Sequence, residues 1–184
     1  KKTIEVKEYS NNRYFNDINA FSVWMNTYYQ SLTPEKIIDG MVFFAHRDAK
    51  IRNKSFSQLS VFFGKALSDN QYLIPYLLKI YPEQDNDTKI MILGTLPYIK
   101  YDFNEFTNQL PDNEKRFYSE WLNQYIQYPD SGIKEPTTIK ESIRISYQMD
   151  MLWSYFFASG EYQPIKQLVE VLELGKFKGS LEKY

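Results

Sequence analysis

Three Phe-Phe pairs, each followed at once by a small residue, limit what this chain can fold into: Phe43-Phe44-Ala45, Phe62-Phe63-Gly64 and Phe156-Phe157-Ala158. Each pair lies in a stretch whose apolar residues recur at helical spacing. Bulky neighbours beside a small residue let a second helix approach closely and fill the gap it leaves. The pattern argues for stacked antiparallel helices and carries no chemistry of its own.

A chain of 184 residues suits one domain and is long enough to bury a core. Hydrophobic residues make up 43% and aromatics 17%, led by 16 Tyr and 13 Phe, which argues for an aromatic-rich core rather than disorder. Sixteen tyrosines exceed what a core holds, and surface tyrosine suits protein-binding faces. An AT-rich genome, which favours Tyr, Asn, Lys and Ile codons, gives the same composition. The net charge of −1 supplies no global pull toward nucleic acid or a membrane surface. Cysteine is absent, which excludes disulfides, thiol catalysis and cysteine metal sites. No apolar run reaches the ~18 residues of a membrane span. The chain starts at Lys1 rather than Met. If a signal peptide has been removed, a bacterial periplasm or cell envelope is the expected location; otherwise it is the cytoplasm.

Residues 1–16 form a polar N-terminal arm, with weak alternation over Lys1–Lys7 that allows a short strand. A helix is predicted over 17–32, where Phe21, Trp24, Met25, Tyr28, Tyr29 and Leu32 share one face. Thr33-Pro34-Glu35 opens the next, to about residue 46, with threonine as cap and proline at the first position. A basic loop follows to Lys54, and Ser55 or Ser57 caps a third helix carrying Leu59, Phe62, Phe63, Ala66 and Leu67. Further helices are expected over 70–81, 87–97 (capped by Asp85 or Asp87), 101–110 and 112–128. Residues 129–137, with Pro129, Gly132 and Pro136, read as the longest loop. Thr137 or Thr138 then opens a long helix ending at Ser159-Gly160, with Met149, Leu152, Trp153, Phe156 and Phe157 as its buried face. Pro164 starts the last helix, with Ile165, Leu168, Val169 and Leu172 inward, and Gly175 ends it. The expected organisation is a single helical domain over 17–175 and a polar tail over 176–184. The fold class is all-α: antiparallel hairpins stacked as an irregular α/α superhelix, or else a compact helical bundle. Segments 57–80 and 149–174 look like one degenerate hairpin unit, but the period is too irregular for a tetratricopeptide array.

Trp153, then Phe156-Phe157-Ala158-Ser159-Gly160, then Pro164-Ile165 and Leu168 form a further pattern. It resembles a family of uncharacterised bacterial proteins in which a Trp precedes Phe-Phe-Ala-Thr-Gly and a Pro-Val or Pro-Ile opens the next helix. Phe62-Phe63 through Leu67, Asn70 and Leu77-Leu78 are similar to that family's preceding hairpin. The resemblance spans about residues 30–174 and implies a helical fold and no catalytic residue; Ser159 stands where threonine is usual.

His46, the only histidine, could pair with Asp48 as base and orienter, or sit at a helix C-terminus against free carbonyls, which is its commoner role. One histidine does not make the three or four ligands a metal site needs. The basic run with Arg47, Lys50, Arg52 and Lys54 could grip an acidic partner, or be a solvated loop. The stripe Phe117, Trp121, Tyr125 and Tyr128 could line a groove, although such stripes usually face a core. Paired-carboxylate chemistry needs a fixed separation that sequence does not give, although Asp39, Asp102, Glu105, Glu120, Asp150 and Glu161 are available. Asp150 borders the aromatic face of the long helix and is the most interesting of these. Phosphate-loop, dinucleotide, nucleophile-elbow and zinc-protease motifs are all absent.

The expectation is therefore a non-catalytic helical interaction module, a bacterial adaptor or an immunity-like protein, binding a protein or peptide. It needs no cofactor or metal. Its candidate surface is Arg47, Lys50, Arg52, Lys54, Tyr125 and Tyr128. The alternatives are a carboxylate enzyme with a cleft near His46 and a carrier of small molecules or lipids.

Overall fold

The computed structural model describes residues 14–124 and 139–174. The expected N-terminal strand, the loop at 129–137, the Thr137 or Thr138 cap, the Gly175 stop and the tail lie outside them. Among the described residues the chain is all helix and turn, with no strand. Its α-helices are α1 (Ile18–Thr27), α2 (Ile37–Ala45), α3 (Ala49–Asp69), α4 (Ile74–Ile80), α5 (Asn86–Thr95), α6 (Asn104–Asn108), α7 (Asp112–Gln124), α8 (Ile139–Ser159) and α9 (Tyr162–Leu174). Short 3-10 turns join several of them.

Side-chain caps place three of the helix starts. Asp17 accepts from Ala20 N–H at 2.8 Å, Asp48 from Lys50 N–H at 2.9 Å, and Asp85 from Thr88 N–H at 2.9 Å. The Asp48 cap corrects the expected basic loop. Helix α3 begins at Ala49, not at Ser55 or Ser57, so Lys50, Arg52 and Lys54 are helical. Alanine, lysine and arginine are good helix formers, and a single aspartate cap suffices to start them. Thr33 also differs from expectation. Its hydroxyl caps no helix; it accepts the Trp24 indole N–H at 2.8 Å, and a 3-10 turn over Pro34–Lys36 leads into α2.

Helix α1 stops at Thr27 and passes into a 3-10 turn over Tyr28–Gln30. The tighter winding breaks the 3.6-residue phase. Tyr28 stays buried, but Leu32, expected on the same face, is exposed. Phe15, Phe21, Trp24, Phe43, Phe44, Phe62 and Phe63 form the aromatic centre of one core. Most of their rings meet edge-on or tilted, as Trp24 and Phe62 do at 5.5 Å between centroids and 78° between planes, while Phe21 and Phe44 stack at 6.1 Å and 19°.

Helix α3 is the hub. It packs most extensively on α8, then on α5 and α2, and α8 packs in turn on α9. The small residue after the second Phe-Phe pair is what lets the chain close on this hub. A Cβ on Gly64 would lie 2.4 Å from Tyr98 Cβ and 3.0 Å from its carbonyl carbon. A Cβ on Gly94 of α5 would lie 2.3 Å from the Phe56 ring of α3. Gly160 ends α8 with φ +69, the left-handed conformation expected there. Beside it, Lys65 of α3 reaches Glu161 at 2.6 Å and Asp69 at 2.8 Å, tying α3 to the α8–α9 turn. Burial opposes the charge on Lys65, but Asp69 and Glu161 outweigh it and hold the ammonium well above the usual lysine range.

Two helix faces differ from the sequence reading. On α8, Leu152 and the unflagged Met151 are fully buried, whereas Trp153 is 42% exposed and Phe156 and Phe157 are half-buried. On α9, Leu168 is buried but Val169 is 46% exposed. In both helices the core takes a narrower stripe than the apolar residues offer.

Candidate interaction groove

Of the four residues expected to form a basic surface, the two arginines are engaged within the molecule. Arg47 folds back on α2: its Nε donates to Phe43 O at 3.2 Å, and its guanidinium lies 4.0 Å from the Phe43 ring centroid. Arg52 points from α3 to the end of α2, donating from Nη1 to Ala45 O at 3.0 Å, and pairs with Asp87 of α5 at 2.6 Å. Lys50 and Lys54 remain exposed on α3. Tyr125 and Tyr128 lie outside the described residues. The first half of their stripe is structural: Phe117 packs on the core, and Trp121 donates its indole N–H to Gly94 O at 3.0 Å. The Trp121 ring meets Phe56 edge-on at 4.9 Å.

His46 sits at the C-terminus of α2, as its commoner role anticipates, but its partner is Asp85 rather than Asp48. Nε2 and Asp85 Oδ2 are 2.5 Å apart, so the pair joins the end of α2 to the start of α5. Partial burial alone would raise the Asp85 carboxyl. The Thr88 N–H and His46 outweigh that and hold it below the usual carboxylate range. Among the described residues, no three His, Asp or Glu side chains gather as a metal site would require.

The carboxylates singled out from the sequence are scattered. Asp39 is buried in α2, Asp102 accepts from Asn104 N–H at 2.9 Å, Glu161 pairs with Lys65, and Glu105 and Glu120 are exposed. A half-buried pair that the sequence reading missed is Lys89 with Glu114, at 3.0 Å; Tyr81 also donates to Glu114, at 2.8 Å. Burial, and then Glu114 beside it, drive the Tyr81 phenol far up. This network fastens α7 to α5 and to the turn after α4.

Asp150 is different. It lines a groove of about 340 Å3 between α1, the first half of α3 and α8. The floor is made by Phe21, Phe44 and Leu59, which are buried. The rim carries Ile18 (37% exposed), Ile51 (45%) and Trp153 (42%). Gln58 Nε2 donates to Asp150 Oδ2 at 2.8 Å across the groove, linking residues 92 apart in sequence. Among the described lining residues, Asp150 carries the one charge. Sequence held a partial signal: Asp150, Trp153, Ser154 and Phe157 fall at i, i+3, i+4 and i+7 of α8, a face that mixes apolar residues with a carboxylate. Ile18, Ile51 and Gln58 gave none, since they come from other segments. A second cleft, of about 510 Å3, lies where the turn after α5 meets α6 and α7, with Asp102, Asn104, Thr107, Lys115 and Tyr118 among its lining.

Among the described residues, no helix is long and apolar enough to cross a membrane. Comparison of the chain with protein-family models, with curated proteins and with solved structures gives no match.

Proposed function

We propose that this protein is a non-catalytic helical interaction module, and that a protein partner docks in the groove between α1, α3 and α8. The supporting observation is the rim: Ile18, Ile51 and Trp153 stand exposed around one concavity instead of being scattered. Exposed apolar residues are ordinary when single, but grouped around a concave site they mark binding surfaces. Tryptophan is moreover the residue type most enriched where binding energy concentrates. This moves the expected contact away from the basic segment, whose two arginines serve α2 and α5. An adaptor or immunity-like role for a bacterial chain belongs to the same proposal, as does the degenerate hairpin organisation, for which the α8–α9 pair is the support.

The test is site-specific photocrosslinking in the source cell. A photoreactive phenylalanine replaces Ile51, on the groove rim, or Tyr101, in the second cleft. A discrete protein adduct from position 51 and none from position 101 is expected. No adduct from position 51, or the same adduct from both, would overturn the assignment of the groove.

A further inference from the structure

We infer that the groove takes a peptide segment presenting a lysine or arginine flanked by apolar residues, with Asp150 as the anchor for the cation. The inference rests on the interaction-module reading and adds the chemistry of the partner. Three features of the groove point to it. Asp150 is oriented from one side only: Gln58 holds Oδ2 at 2.8 Å, and Oδ1 receives no hydrogen bond from a described residue. A carboxylate oxygen left open within an apolar concavity suits a charged donor, because charge-assisted hydrogen bonds are the strong ones and the low-dielectric walls strengthen them. No described lining residue is a competing cation, Asp150 being the one charge among them. Finally, Trp153 lies one turn along α8 from Asp150, with its ring stacked on Phe157 at 5.9 Å between centroids. A partly exposed indole lining the same groove as a carboxylate is favourable ground for ammonium or guanidinium. Phe21 and Phe44 below would receive the apolar neighbours of that cation. The volume of about 340 Å3 is at the low end of ordinary binding pockets, so the site accepts a few side chains and not a folded face. An acidic segment would be repelled, and a neutral one would leave Asp150 desolvated without a partner.

The experiment is a selection from a display library of random peptides of about twelve residues. The baits are the wild-type chain, Asp150→Asn and Ser22→Trp. Asparagine at 150 still accepts the Gln58 hydrogen bond, so the first variant removes the charge with little else; the second fills the groove. Wild type should enrich peptides with Lys or Arg between apolar residues. Asp150→Asn should lower that basic preference by about tenfold or more while keeping the apolar one. Ser22→Trp should enrich neither. Wild-type peptides should also shift the Trp153 indole N–H resonance, which is distinguishable because Trp24 and Trp121 donate theirs inside the molecule. If Asp150→Asn selects the same basic peptides, or wild type selects apolar peptides without a cation, the Asp150 anchor is overturned and the groove reading stands. If no bait enriches a groove-dependent peptide, or the peptides leave Trp153 unmoved, both readings fall.

Discussion

His46 and Asp85 meet across the gap between two helix ends, and each also serves its own helix. Asp85 caps α5 through Thr88 N–H, and His46 closes α2. Because Thr88 N–H and His46 hold the Asp85 carboxyl below its ordinary value of 3.8, the folded state favours the carboxylate. Its contribution to stability is complete above that ordinary value and is lost as pH falls through the lower folded value. Asp85→Asn keeps a good cap and removes the charge. Urea midpoints measured from about pH 7 down to about pH 3 should therefore show wild type above the variant near neutrality, with the two curves drawing together on the acid side. A gap that stays constant across that range would show that the charge is irrelevant and only the cap counts. The helix-end position of His46 was legible in sequence, from the end of an apolar period. Asp85 as its partner was not, because it lies 39 residues away. Gly64 was legible as a close-packing position; that Tyr98 would occupy the space beside it, and Phe56 the space beside Gly94, was not.

At the scale of elements, the first turns of α3 change the meaning of the basic segment. Read along the chain, Arg47 to Lys54 is a run of charge between two apolar helices. Folded as helix from Ala49, it turns Arg52 toward Ala45 O and Asp87 while Lys54 remains exposed. Two residues of like charge, two positions apart, thus have different roles because a helix turns about 100° per residue. Arg52→Met should lower stability by about 1–3 kcal/mol, since it leaves the α2 terminus without its donor and Asp87 without its cation. Lys54→Ala should stay within about 0.5 kcal/mol of wild type. Urea denaturation of both variants checks this, and equal losses would show that Arg52 is not a tie between helices. Helix α8 gives a parallel lesson. Its apolar residues extend around more of the cylinder than its neighbours cover, so Met151 and Leu152 go inward and Trp153 is left at the groove.

For the molecule as a whole, the core is unevenly distributed about α3. Phe62, Phe63, Ala66 and Leu67 are fully enclosed, with α2, α5 and α8 packed around the helix that carries them. Helix α7 is held on one side, chiefly by Trp121 and by the Glu114 contacts with Lys89 and Tyr81. Native-state hydrogen exchange should accordingly find the amides of Phe62–Leu67 opening only with global unfolding, and those of α7 opening at a markedly lower free energy. Equal protection in both would mean that α7 belongs to the same cooperative unit. The all-helical class, most element positions, Asp85 as one of two candidate caps for α5 and the inward-facing Phe pairs of α2 and α3 follow from the sequence by itself. They depend on local rules: a period of 3.6 residues, side chains that cap free N–H groups, and propensities summed over a few turns. The tertiary structure alone decided that Asp150 would face Gln58, that Ile18, Ile51 and Trp153 would surround one groove, and that Arg52 would join three helices. Those outcomes depend on which distant segments cover a given face. A period shows that a helix has an apolar side, and packing settles how much of that side is buried.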